Sequence, residues 1–236
     1  MQVTGNSLKA MTKNIDRISI QVGLSGYSFK IESEGLIRPS GWMSSERIFT
    51  TSEFQRRYED VAISVFTPKC ALIPKHFHCE EESRNLLSEV VSLEDGDPVD
   101  HVNVPEHSAV LVFSTAIGET LSKVVSETVI KTDGNKVRPL PELYYMLQEI
   151  AHIKDYNKII ASYMDGCLYL VISQGKSLLL CNSYQAPDFT TAEYFIFLAM
   201  KKLQLNPEMS TIFFRTPLDP EQEMSLYRYF NNVEQI

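Results

Sequence analysis

The chain has 236 residues and a formal net charge of −8, from 22 Lys and Arg against 30 Asp and Glu. Hydrophobic residues make up 44% of it, and a chain of this length and composition can bury a core without a disulfide scaffold or a structural metal. The acidic balance disfavours contact with phosphate backbones and with anionic membrane surfaces. We therefore expect no nucleic-acid partner.

Cysteine usage and the distribution of apolar residues indicate a cytoplasmic protein. The four cysteines are too few for a disulfide framework and form no CxxC pair, which favours a reducing compartment; they are Cys70, Cys79, Cys167 and Cys181. Residues 1–14 form a polar leader without an apolar stretch, so we expect no signal peptide. The densest apolar run, Tyr194–Met200, has seven residues. A bilayer-spanning helix needs about 20, so we expect no transmembrane segment.

The first half opens with a predicted three-stranded meander. Ile15–Val22 and Tyr27–Glu32 alternate apolar and polar residues, as half-buried strands do. A turn at Glu34–Gly35 leads into a third strand at Leu36–Met43. Pro39 makes this third strand an edge strand or an irregular one, because proline cannot donate a ladder hydrogen bond.

Helices and single strands alternate after the meander. The predicted order is a short helix at Ser52–Tyr58, a strand at Val61–Phe66 that continues at Cys70–Ile73, a helix at Glu80–Val91, a strand at Ala109–Phe113 and a helix at Ile117–Val129. Turn residues concentrate in Lys131–Pro141, where we place the boundary between two domains, 15–135 and 136–236.

The second half repeats this order. The predicted elements are a helix at Pro141–Ile153, strands at Lys158–Tyr163, Cys167–Ile172 and Lys176–Tyr184, a helix ending near Leu205, a strand at Thr211–Phe214 and a last helix from Asp219 to about Asn231. A capping box at Thr190–Glu193 opens the long helix. With the predicted turn at Gln174–Gly175, Cys167 lies opposite Asn182 rather than Cys181, so we expect no disulfide between the two cysteines.

Glycine and serine positions support an internal repeat. Three pairs of residues are each 140 apart in the chain: Gly26 and Gly166, Ser33 and Ser173, Gly35 and Gly175. Two unrelated hairpins can place glycines in the same way, so this alternative stays open. A true duplication matters because a repeated unit with a cleft between its copies is a common ligand-binding architecture.

A duplicated βββαβα unit resembles the actin-like ATPase superfamily, which includes actin, the heat-shock 70 chaperones and the sugar kinases and has an RNase H-like core. In detail the chain is similar to bacterial pilus-assembly and cell-division actin homologues. Val61–Phe66 followed by Ala71–Pro74 looks like their mid-domain strand pair, and Val110–Ala116 resembles the strand before their next helix. The whole also resembles a family of uncharacterised bacterial proteins with an actin-like ATPase fold. The resemblance implies an α/β protein with two subdomains whose mixed sheets face a cleft.

The first phosphate loop that the resemblance implies falls at Ile20–Gly26. Gly23, Ser25 and Gly26 are its candidate phosphate-binding residues, because glycine lets backbone amides approach a phosphate. The superfamily has an Asp in this loop that organises metal and water, and here that position is Gln21. A neutral amide cannot supply the charge that draws in Mg²⁺.

The other two nucleotide motifs depart from the superfamily pattern as well. In the second loop Ala161 stands at the acid position and Tyr163 where glycine is expected, which leaves Asp165 and Gly166 as candidates, in a turn typical of hairpins. The adenosine motif should contain a Gly pair, and Ile212–Pro217 has no glycine. The five candidates are therefore interpreted as vestigial phosphate loops, with ATP and Mg²⁺ possible but not favoured.

Two further patterns have competing explanations. His76, His78 and Cys79 have residue types and spacing that can bind Zn²⁺, but a solvated strand end before an acidic helix start explains them better, so we expect no metal. Tyr227, Tyr229 and Phe230 lie on the predicted terminal helix and could form an exposed docking patch. A helix packed back onto the sheet is the favoured alternative.

The sequence thus predicts a non-catalytic, actin-like protein that binds other proteins or itself, through the cleft or an outer face. The alternative is a diverged ATPase or phosphotransferase that uses the cleft between the subdomains, with Asp16 or Asp165 in place of the missing acids. A third candidate, a metal-dependent hydrolase on an RNase H-like core, needs clustered carboxylates at strand ends. The predicted strands offer almost none.

Overall fold

Two mixed sheets with the same strand order organise the chain. The computed structural model describes residues 16–116 and 119–236. The predicted leader, 1–14, and the first two residues of the predicted helix Ile117–Val129 lie outside the described residues. The predicted division at 135/136 stays a prediction.

The first half contains eleven strands and two α-helices among the described residues. They are β1 (Arg17–Val22), β2 (Gly26–Ser33), β3 (Leu36–Pro39), β4 (Met43–Ser44), β5 (Arg57–Tyr58), β6 (Asp60–Val65), β7 (Cys70–Pro74), α1 (Ser83–Ser88), β8 (Asp100–Val104), β9 (Ala109–Phe113), α2 (Glu119–Thr128), β10 (Ile130–Lys131) and β11 (Leu140–Pro141).

The second half follows without a gap. Its elements are α3 (Glu142–Glu149), β12 (Asn157–Met164), β13 (Cys167–Gln174), β14 (Ser177–Gln185), α4 (Phe189–Lys202), β15 (Thr211–Phe214), α5 (Pro220–Tyr227) and β16 (Asn232–Gln235). Asp219 closes a capping box with Gln222 at the start of α5, which satisfies main-chain donors that the helix itself leaves open.

The strand order confirms the duplicated fold. The first sheet runs β11-β6-β1-β2-β3, with β4 also paired to β2, and the second runs β16-β15-β12-β13-β14. In each, an antiparallel meander is extended by a strand that pairs parallel to its first strand, β6 on β1 and β15 on β12. The glycines that are 140 residues apart are less equivalent in structure than the two sheets are. Gly26 opens β2, whereas Gly166 lies in a two-residue turn with φ +70°.

The second sheet packs apolar residues on both faces, whereas the first does so on one. Helices α4 and α5 pack on one face of β12–β15, and α3 packs on the other together with the three-stranded sheet β7-β9-β8. In the first sheet Ile18, Ile20 and Ile63 face α2 and the 3₁₀ segments Ser45–Thr50 and Ser52–Gln55. Alternation therefore turns the polar residues of β1, β2 and β6 toward α3.

Several predicted elements differ from the structure in length or type. The short helix predicted at Ser52–Tyr58 is a 3₁₀ segment followed by β5. The helix predicted at Glu80–Val91 is a 3₁₀ turn, Glu80–Glu82, that runs into the six-residue α1. The predicted last helix ends early, at Tyr227, and β16 follows it.

Two predicted local contacts were wrong. Helix α4 begins at Phe189 and is capped by Asp188, whose carboxylate accepts from the Thr191 amide at 2.7 Å, so the capping box at Thr190–Glu193 does not form. The β13–β14 turn falls one residue later than predicted, and a bulge after Ile172 shifts the register, which places Cys181 opposite Val171. All four cysteines are free thiols.

Candidate functional site

The two predicted phosphate loops are in direct contact. The Leu24 amide in the first loop donates to Asp165 Oδ2 in the second, at 2.7 Å. A Cβ on Gly23 would lie 2.6 Å from the same oxygen and 3.0 Å from the Trp42 ring. An amide that could face a phosphate in this loop is therefore already bonded to a carboxylate of the same chain.

The remaining loop candidates make contacts within their own half of the chain. The carbonyl of Ser25 accepts from the Ser45 amide at 3.1 Å, and the carbonyl of Gly166 accepts from the Ala186 amide at 2.8 Å. Gly26 lies against the Met43 carbonyl and the indole of Trp42, so no side chain fits there. Sequence reasoning grouped these residues correctly by position but did not identify Trp42 as the side chain that fills the first loop.

A buried carboxylate, Glu142, joins the two sheets at the base of the loops. Its side chain is fully buried at the start of α3. Oε1 accepts from Gln21 Nε2 at 3.0 Å, from Ser162 Oγ at 2.7 Å and from Arg215 Nε at 2.8 Å, and Oε2 accepts from Ser64 Oγ. We call these five residues the Glu142 cluster.

The charges of the Glu142 cluster compensate each other. Burial by itself raises the pKa of the Glu142 carboxyl, but the Arg215 charge and the hydrogen bonds outweigh it and hold that pKa below its ordinary value. For Arg215 burial works against the charged form, and the adjacent Glu142 carboxylate more than offsets it, so its pKa is raised. The cluster is thus an ion pair at neutral pH. The Glu142 carboxylate accepts four hydrogen bonds, all of them from protein donors.

Gln21 has a structural partner that explains why it is not an acid. It donates to Glu142, and its own carbonyl oxygen lies 3.3 Å from Ser28 Oγ. An aspartate at this position would bring a second carboxylate toward Glu142 in a buried site, where like charges repel strongly. A neutral amide donor at position 21 therefore matches the buried carboxylate at position 142, whereas an acid there would not.

The polar face of the first sheet and helix α3 enclose a cavity of about 640 Å³. Lys30, Tyr145, Glu149 and Arg215 line it. Burial and the nearby Arg215 lower the pKa of Lys30, and burial raises the pKa of Tyr145 to about 12. The cavity lining mixes apolar residues with charged residues of both signs, so it does not favour one charge class of ligand.

The other sequence candidates do not join this site. His78 Nε2 lies 3.0 Å from Ser83 Oγ, and the Cys79 thiol donates to Glu81 at 2.7 Å. Among the described residues no three His, Cys, Asp or Glu side chains come together as metal ligands. On the terminal helix and after it, Tyr227 and Tyr229 are 44% and 50% exposed, respectively. Phe230 is wrongly predicted as part of an exposed patch, because it is 4% exposed and packs in the core of the second half.

Sequence reasoning missed most of the Glu142 cluster. Only Gln21 was singled out, because a motif predicts an acid there. Glu142 begins a helix, where an acidic residue is ordinary, and Arg215 is 73 residues away from it. The lack of glycine in Ile212–Pro217 was noticed, but nothing in a single sequence pairs Arg215 with Glu142.

Comparison with known proteins gives the family. The model of a family described as proteins of unknown function, DUF3822, matches residues 42–233. The chain belongs to this family. No curated protein matches the chain in sequence. Its two equivalent sheets, together with its likeness to a solved structure that has an actin-like ATPase fold, show that this DUF3822 member has that fold.

Three solved structures illustrate the likeness. A Bacteroides thetaiotaomicron protein with an actin-like ATPase fold and unknown function is 15% identical, with a TM-score of 0.66 over 98% of this chain and 94% of that one. The PilM–PilN type IV pilus biogenesis complex gives 12% identity and a TM-score of 0.50 over 95% and 89%. The cytoplasmic domain of EpsL, from the type II secretion system of Vibrio cholerae, gives 12% and 0.47 over 86% and 83%.

Within the described residues, no helix is both long and apolar enough to cross a membrane.

Proposed function

We propose that this chain is an actin-like protein without nucleotide hydrolysis that acts as a protein-interaction or scaffolding module. The observation that carries the proposal is the bond from the Leu24 amide to Asp165 Oδ2. A carboxylate of the chain occupies the place on the first loop that a phosphate needs. It repels a phosphate by its charge as well as by its volume.

The acid positions support the same conclusion. A Mg²⁺ ion that escorts a nucleotide is bound through carboxylates and phosphate oxygens. Gln21 is neutral, and Ala161 has no polar side chain. Glu142 contacts Gln21 and Ser162, the residue after Ala161, but it is fully buried and already accepts from four protein groups. Binding a metal would require breaking its ion pair with Arg215.

A role in protein interaction is supported by a solved complex that contains a similar fold. The PilM–PilN structure is a complex of two proteins, and its fold is similar to this chain over most of both lengths. We therefore propose a protein partner or self-association for this chain also. Its four free thiols suit a reducing compartment, so we place the interaction in the cytoplasm.

Phosphate release from Mg·ATP tests the proposal. We expect the purified protein to release phosphate at the rate of the buffer alone, because neither loop presents an acid to metal and water. An Asp165→Asn variant is the matched comparison, since it removes a loop acid that a diverged ATPase would have to use. Phosphate release by the natural protein above the buffer rate would overturn the proposal, and loss of that release in Asp165→Asn would assign it to a diverged ATPase site.

A further inference from the structure

A groove on the outer side of the first sheet carries four arginines. It has a volume of about 530 Å³ and lies between the β2–β3 end of the sheet and the 3₁₀ segments that follow β4. The arginines come from β3, from the first 3₁₀ segment and from the chain around β5; they are Arg38, Arg47, Arg56 and Arg57. We call this the arginine groove. It lies on the opposite face of the sheet from the Glu142 cluster.

Among the described residues, no carboxylate lies within salt-bridge distance of these arginines. Each salt bridge between described residues involves other cations. The residues outside the described part, 1–15 and 117–118, contain no Asp or Glu, so they hold no acidic side chain that could pair there. The two acids that line the groove, Asp16 and Glu53, accept hydrogen bonds from Ser33 and Ser52.

The groove is therefore a positive region on an acidic protein. Four guanidinium groups face two carboxylates there, whereas the whole chain has a net charge of −8. A concentration of one charge sign in a concave surface attracts the opposite sign and raises its rate of encounter. Guanidinium groups also bind carboxylates through paired hydrogen bonds, which adds geometric selectivity.

The arrangement of the arginines suits an extended acidic peptide better than a compact anion. All four are exposed and are spread over separate elements. Compact phosphates are bound instead by donors that converge on one point, such as the amides of a helix N-terminus. Between the arginines the groove floor contains Phe29, Ile31 and Met43, which can receive apolar side chains. Carboxylates at intervals, with apolar residues between them, match this surface.

We infer that the arginine groove binds an extended acidic segment of a partner protein, with its carboxylates on Arg38, Arg47, Arg56 and Arg57. This inference deepens the proposed function, on which it rests, by giving the partner's chemistry. The occupant is not the leader of this chain, because residues 1–15 contain Lys9 and Lys13 and no acid.

Fluorescence anisotropy with a labelled peptide of alternating Glu and Leu tests the inference. The test variant is Arg38→Ala/Arg47→Ala/Arg56→Ala. The matched control is Lys201→Ala/Lys202→Ala/Arg228→Ala, which removes the same charge from exposed positions elsewhere. We expect the test variant to bind at least about tenfold more weakly than the natural protein, with the control within about twofold. Added salt should weaken binding to the natural protein, because exposed charge contacts are screened.

Three results would overturn the inference. They are an equal loss in both variants, no binding of the peptide by the natural protein, and displacement of the peptide by tripolyphosphate at micromolar concentration, which would assign the groove to a compact anion. A peptide with Lys in place of Glu should not bind. Phosphate release measured on the same preparations separates the two proposals. Hydrolysis with intact peptide binding contradicts the proposed function alone, and lost peptide binding without hydrolysis contradicts this inference alone.

Discussion

Replacing Arg215 with methionine is expected to lower the free energy of unfolding by about 3–5 kcal/mol, because it leaves the fully buried Glu142 carboxylate without its cation. The remaining donors, Gln21, Ser64 and Ser162, are neutral. They cannot compensate a full charge on a fully buried side chain. Urea denaturation at pH 7 measures the difference between the two proteins.

The matched control is Arg17→Met. Arg17 also pairs with a carboxylate, Asp60, but both side chains are about half exposed. Exposed pairs of this kind contribute about 0–1 kcal/mol, so this variant should unfold close to the natural protein. A loss at Arg215 no larger than the loss at Arg17 would show that the Glu142 cluster does not hold the two sheets together.

Acid should reduce the effect of Arg215→Met. The folded-state pKa of Glu142 is held below the ordinary 4.5, so its stabilising contribution is complete above that pH and is lost as pH falls through the folded value. Without Arg215, burial dominates and raises the pKa of Glu142, so the variant recovers as Glu142 takes up a proton. The difference between the proteins should therefore begin to shrink above pH 4.5, as pH falls through the raised pKa of Glu142 in the variant, and should go on shrinking down to the lowered pKa of Glu142 in the natural protein.

Gly26→Ala is expected to destabilise the protein by about 3 kcal/mol, at the upper end of the usual cost of overpacking. A Cβ at this position overlaps the main-chain carbonyl of Met43 and lies 2.9 Å from Trp42 Nε1. Main-chain atoms cannot move aside as a flexible side chain can, so the pairing of β2 with β4 must open. The midpoint of thermal or urea unfolding reports the loss.

Gly96→Ala is the control for this substitution. No atom lies within 4 Å of a Cβ built on Gly96, and its φ is not positive. The same change there should leave stability unchanged or raise it by about 0.4–1 kcal/mol through the unfolded state. An unaffected Gly26→Ala protein would contradict the close packing of Trp42 and Met43 on the first loop and would reopen a phosphate-binding role for it.

The sheets were predictable from alternating residues in the first half and from apolar runs between turns in the second. Ile18 and Ile20 alternate with polar residues on β1, and β12 and β13 lie between clear turns. Strand β16 was missed, since its four residues, Asn232–Gln235, are mostly polar and carry no such pattern. It is held by parallel pairing to β15, a tertiary interaction that the local sequence does not encode.

Individual residues of the candidate site could be predicted from the sequence, but the contacts between them could not. The departure at Gln21 could be seen from the motif alone, whereas its partner Glu142 is 121 residues away. Asp165 was interpreted as a hairpin residue, and it does occupy a turn, with φ 53°. Its bond to Leu24 spans 141 residues. It depends on how the two halves pack, which periodicity and spacing do not determine.

A calorimetric titration of Mg·ATP and of ADP into the natural protein tests the central claim most directly. With Asp165 on the Leu24 amide and Gln21 bonded to Glu142, we predict no heat of binding at millimolar nucleotide and an unchanged unfolding midpoint. A nucleotide present at 100 times its Kd would stabilise the fold by about 2.7 kcal/mol, which a thermal shift detects. Saturable binding of one nucleotide per chain would contradict the claim that the phosphate loops are closed.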